Sequence, residues 1–181
     1  MNQIVFLEIT WLMLIVQSLG LCFLAISFQQ NTNRRIVGFQ IAGICFCIIF
    51  YALAGESTPV ALNSLAVMRN IVFIFRPSKW ATHKAWAFVF SSLFIAAGIL
   101  TYESPIDLLP TAGMVFSTIS VYCINPKATR LWALCTQAGW LTFNSVKLLI
   151  PTLVGDIVIM TSNVSALIRY DLGKKKSRCI Q

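Results

Sequence analysis

Residues 4–28 read IVFLEITWLMLIVQSLGLCFLAISF, a run with one ionisable side chain, Glu8, and no proline. It is longer than the about 20 residues that a bilayer-crossing helix needs. A cleaved leader would carry a basic residue ahead of its apolar core, and here no Lys or Arg precedes Arg34. The run is therefore expected to remain as a membrane span.

Working outward from it, six further apolar runs follow at 36–54, 60–75, 85–101, 108–123, 131–150 and 154–168. The shortest cover about 24 Å at about 1.5 Å per residue, less than the about 30 Å of a hydrocarbon core, so they must borrow flanking residues. Outer-membrane strands are excluded, because they alternate in segments of about ten residues whereas these runs are apolar on every side. Of the 181 residues 57% are apolar and 11% charged, against about 45–50% and about 25% in soluble domains. The loops left over are too short for a folded aqueous domain.

The formal charge of +8 points to orientation rather than to nucleic acid. Twelve of the 14 Lys and Arg lie in segments 29–35 (Arg34, Arg35), 76–84 (Arg76, Lys79, Lys84) and 124–130 (Lys127, Arg130) and in the tail (Arg169, Lys174, Lys175, Lys176, Arg178). The alternate loops carry Glu56, Glu103 and Asp107 instead. Since cytoplasmic loops collect Lys and Arg, the amino terminus is expected outside and the carboxyl terminus in the cytoplasm. The run Lys174, Lys175 and Lys176 reads first as an orientation anchor, and second as a site for anionic lipid.

Catalytic signatures are missing. The chain has no HExxH, GxSxG or Gly-rich phosphate loop. Gly155-Asp156 lacks the second apolar-embedded aspartate that intramembrane proteolysis would need, and His83 reads as a solvated loop residue. Cys22, Cys45, Cys47, Cys123 and Cys135 lie in or at the ends of apolar runs and Cys179 in the tail, which suits small buried hydrophobes better than metal ligands. Neither enzyme activity nor a metal or cofactor is expected.

Polar side chains inside a span normally face the bundle interior. Asn63 and Asn70 stand seven apart on the third run, with Arg69 beside them; Trp140, Asn144 and Lys147 follow one another on the sixth; Asp156 and Asn163 are seven apart on the seventh. Asn63, Asn70, Trp140, Asn144 and Asn163 are the candidate solute-binding residues, and Arg69, Lys147 and Asp156 the candidates for gating or an ion pair. Lys147 and Asp156 flank a short outer loop and suit a salt bridge, while Glu8 and Gln17 are open to either group. These amides equally suit structural glue between helices, worth about 0.6–2 kcal/mol each.

Seven spans divide as three, one and three. Shifting the second run by 96 onto the sixth matches Arg34, Ala42, Gly43 and Leu53 with Arg130, Ala138, Gly139 and Leu149. A shift of 100 brings Asn63, Ala66 and Arg69 onto Asn163, Ala166 and Arg169. Parallel repeats are a known transporter plan. The expected division is a first three-helix bundle over 1–75, a linker helix with its loops over 76–107, a second bundle over 108–170 and a basic tail over 171–181.

The stretch from Leu62-Asn63-Ser64 through Arg69, the turn Arg76-Pro77-Ser78-Lys79-Trp80, Asp107-Leu108-Leu109-Pro110 and the ending Asn163 to Arg169-Tyr170 resemble the YgjV-like bacterial inner membrane proteins. That family is similar in plan to the SWEET and PQ-loop transporters, which implies two parallel three-helix bundles joined by a linker helix. The resemblance places Asn63 and Asn163 where SWEET carriers contact substrate, and Trp140 where they hold an aromatic platform. The sequence departs from the pattern in having no PQ dipeptide and no proline in the first two runs, and only Ile44 and Ile48 stand where a second tryptophan would.

The expectation is thus an all-α, seven-span protein of the bacterial inner membrane that passes a small polar solute through a central pocket lined by asparagines. The alternative is a binding or accessory membrane protein whose asparagines are structural. Expected partners are membrane lipid and the unidentified solute, without nucleic acid and with room for a homo-oligomer.

Overall fold

The computed structural model describes residues 3–28, 33–75, 81, 83, 85–122 and 126–168. The expectations for the Glu8 side chain, for Arg76, Lys79, Lys84, Cys123, Arg169 and Cys179, for Lys174, Lys175 and Lys176, and for the tail over 171–181 lie outside the described residues. Among the described residues every regular element is helical: α1 (Gln3–Phe28), α2 (Asn33–Ala54), α3 (Ser57–Ile74), α4 (Ala85–Leu100), a 3-10 turn at Pro105–Asp107, α5 (Leu108–Tyr122), α6 (Pro126–Val146) and α7 (Ile150–Leu167). Each apolar run corresponds to one helix, except that the run over 131–150 extends past the end of α6 to the first residue of α7.

Among the described residues two helices carry 18-residue stretches apolar enough to cross a bilayer, Val37–Ala54 at mean hydropathy 2.2 and Ser57–Ile74 at 1.2; shorter apolar stretches run over Trp11–Leu24, Ala85–Leu100 and Ile150–Ser165. The side chains are sorted accordingly. Phe88, Ile99 and Leu100 are exposed, while Gln17, Asn63, Arg69, Asn70, Thr118 and Asn144 are buried. A water-soluble domain sorts them the other way.

The chain divides into two compact units, Met1–Pro105 and Ile106–Gln181. In the first, α1 packs on α2, α2 on α3, and α3 on α4. Glycine brings α1 and α2 together: a Cβ on Gly43 would sit 2.7 Å from Leu24 Cγ and 3.0 Å from the Gly20 carbonyl oxygen. Without a side chain there, the two backbones can meet, which is how helices associate where lipid removes the hydrophobic drive. Phe23 fills the space beside the crossing, stacking on Phe46 at 5.5 Å and tilting against Phe39 at 6.1 Å.

In the second unit α5 packs on α6 and α6 on α7. Glycine again sets the first crossing. A Cβ on Gly139 would meet the Leu109 carbonyl oxygen at 2.7 Å, and one on Gly113 the Thr136 carbonyl oxygen at 3.2 Å. Thr136 Oγ1 donates to the Gly113 carbonyl at 3.0 Å, and Phe116 lies 5.4 Å from Trp132. Gly43 and Gly139, matched in the sequence, thus occupy corresponding places at the two crossings.

The helix-ending turns correspond too. After α2 the Gly55 amide donates to Ala52 O and the Glu56 amide to Tyr51 O; after α6 the Leu148 amide donates to Ser145 O and the Leu149 amide to Asn144 O. Both are Schellman turns, whose pivot residue takes a left-handed backbone. Gly55 does so at φ 78° and Leu148 at φ 53°.

Candidate functional site

The first polar face belongs to α3. Positions 63 and 70 lie two turns apart, hence on one side of the helix, and Asn63, Arg69 and Asn70 are all buried. Asn63 Nδ2 donates to the Pro59 carbonyl at 2.9 Å, a bond to its own helix. Arg69 reaches toward α4, its guanidinium carbon 5.5 Å from the centre of the fully buried Phe94 ring. An arginine over an aromatic face gains about 0.5–2 kcal/mol, more as water is excluded.

Polar ties also hold the other end of α3. Thr58 Oγ1 donates to the Thr101 carbonyl at 2.6 Å, and Ser57 Oγ to Glu103 Oε1 at 2.6 Å. They fasten the start of α3 to the residues that follow α4. Their hydroxyls were not singled out in the sequence, since a Ser-Thr pair at a helix start reads as an ordinary cap.

The second polar face runs along α6 and meets α7. Trp140, Phe143 and Asn144 are buried, Asn144 to 1% exposure, and Lys147 is half-buried. Trp140 stands edge-on to Phe143 at 6.3 Å. Its Cδ1 would be 3.6 Å from a Cβ on Gly113, so the indole lies along the α5–α6 crossing. Lys147 Nζ sits 5.8 Å from the centre of the Phe143 ring.

Asn144 and Asp156 are brought together, Nδ2 donating to Oδ2 at 2.6 Å. A charge-assisted bond of this kind is shorter and about twice as strong as a neutral one. The structure gives Asp156 an amide partner on α6, beside the Lys147 that the sequence suggested for it. The reason is register: Asp156 is six residues into α7, about 9 Å from its start, which brings it level with the last turn of α6 rather than with the turn residues. Asn163 is half-buried two turns further along α7.

The eight candidate residues divide between the units, with Asn63, Arg69 and Asn70 in the first and Trp140, Asn144, Lys147, Asp156 and Asn163 in the second. Gln17 belongs to α1. It is buried against α2, Nε2 pointing at Cys47 Sγ at 3.9 Å and Oε1 lacking a hydrogen-bond partner. Among the described residues no group of three His, Cys, Asp or Glu converges as metal ligands would.

No curated protein and no solved structure matches this chain. The model of the Imp-YgjV family, bacterial inner membrane protein, matches residues 11–174, and the chain belongs to that family.

Proposed function

We propose that this inner membrane protein crosses the bilayer seven times, as α1 to α7, with its amino terminus outside and its carboxyl terminus in the cytoplasm, and that it carries a small polar solute. The proposal includes two similar three-helix bundles connected by α4, in the manner of SWEET and PQ-loop transporters, and no catalysis. One observation carries the solute reading: amide and charged side chains are buried on helices whose large apolar residues are exposed. Lipid selects against such groups unless they serve a bound or passing polar partner, or one another.

The second reading, an accessory membrane protein with structural asparagines, draws on two bonds. Asn63 gives its amide to Pro59 and Asn144 to Asp156. Bonds like these account for a buried amide without any solute.

One experiment separates the two. Protein reconstituted in liposomes is exposed to sugars, polyols, amino acids and nucleosides, and swelling is followed by light scattering. A carrier accelerates swelling for one class, and Asn63→Ala or Asn163→Ala slows it about tenfold, as the loss of about 1.4 kcal/mol of solute contact would. If every solute enters as slowly as into empty vesicles, and the same variants only lower the melting temperature, the accessory reading holds.

A further inference from the structure

Asp156 brings a negative charge into α7, and α7 carries no other ionisable side chain. Its hydrogen bond comes from a neutral amide. An amide orients a carboxylate but supplies no opposite charge. On α6, the helix packed against α7, the ionisable groups are Lys127, Arg130 and Cys135 toward the far end and Lys147 just past the near end, whose ammonium lies over Phe143.

A carboxylate in a membrane helix, held by an amide and only partly buried, is a site for positive charge. The amount of charge is limited. Divalent sites in proteins gather several carboxylates or other oxygen ligands, and no such acidic group converges here among the described residues.

We propose that Asp156 binds one monovalent cation, a proton or an alkali ion, and that Asn144 is its positioning residue. Binding stands on α6 and α7 alone; its coupling to solute movement rests on the carrier reading above. One cation neutralises the carboxylate on one side of the membrane and leaves it on the other.

The probe is dicyclohexylcarbodiimide, applied to the full chain in detergent and read by mass spectrometry. A protonated carboxyl gives its proton to one carbodiimide nitrogen while its oxygen bonds to the central carbon, an addition from which nothing leaves. The expected result is an adduct on the α7 peptide that is absent from Asp156→Asn and retained in Asp156→Glu. If the ion is a proton, labelling falls about tenfold per pH unit above its midpoint. If it is an alkali ion, sodium chloride protects and choline chloride does not. No adduct at Asp156, or an adduct indifferent to both pH and sodium, overturns the proposal.

Asn144→Ala moves the half-labelling pH or sodium concentration if the amide positions the carboxylate. If only the melting temperature falls, the positioning role is overturned. The swelling assay separates the two levels. Solute entry equally fast in wild type and Asp156→Asn removes coupling and leaves the carrier, whereas cation-dependent labelling without any solute entry leaves the cation site and removes the carrier.

Discussion

The α2–α3 turn and the α6–α7 turn have the same hydrogen bonds around a left-handed pivot, yet the pivot is Gly55 in one and Leu148 in the other. Gly55 adopts φ 78° at no steric cost, whereas Leu148 holds φ 53° against its own Cβ, a conformation disfavoured by about 1–2 kcal/mol. The helix crossings differ in a similar way. In the first unit the space beside Gly43 is bounded first by the Leu24 side chain, which can turn aside; in the second the space beside Gly139 is bounded by the Leu109 backbone carbonyl, which cannot. The second unit is thus built with less slack.

The sharpest way to break that contrast is at the crossings. Gly139→Ala drives a methyl into a carbonyl oxygen and is expected to lower stability by about 2–3 kcal/mol, against about 1–2 kcal/mol for Gly43→Ala. Unfolding in detergent followed by tryptophan fluorescence measures both. Equal losses would mean that the Leu24 side chain is as immovable as the Leu109 backbone.

The turns give a smaller effect with opposite signs. Gly55→Leu imports the strain of Leu148 and should lose about 1 kcal/mol. Leu148→Gly removes that strain but adds freedom to the unfolded chain, for a net gain of about 0.5 kcal/mol. Matching signs in the same unfolding assay would show that the two turns are not equivalent. Gly38→Ala calibrates the series: a Cβ there meets nothing within 4 Å, so replacing a helical glycine should gain about 0.5 kcal/mol.

The helices were legible because most apolar runs are bounded by charge, proline or glycine, and the first by Gln3 and Gln29-Gln30. Where the reading slipped, hydropathy was blind to a turn. The run over 131–150 passes straight through Leu148 and Leu149, so the apolar pattern continues past the end of α6 at Val146 and takes in Ile150, the first residue of α7. Its start slipped the other way, because Pro126 opens α6 ahead of Lys127 and Arg130, in a position where proline is favoured and hydropathy is low.

Of the candidate site, the helical faces were legible from spacing alone, as the burial of Asn63 and Asn70 on one side of α3 shows. The partners were not. That Asn144 meets Asp156, that Arg69 meets Phe94 and that Asn63 turns back to its own helix depend on helix register and rotation, which a single chain of letters does not encode. The glycine crossings left a trace in the match of Gly43 with Gly139, but Gly20 and Gly113 sit at a different shift and escaped it.

Only Lys147, Leu148 and Leu149 separate α6 from α7. If α6 and α7 both cross the bilayer, as proposed above, two helices so closely joined enter it during synthesis as a single hairpin, and Asn144 leaves the ribosome before Asp156. The amide is then already in place when the acid arrives, so the acid need not traverse hydrocarbon alone. An insertion that lengthened this connection would uncouple the two arrivals, and the insertion machinery would be the first to register it.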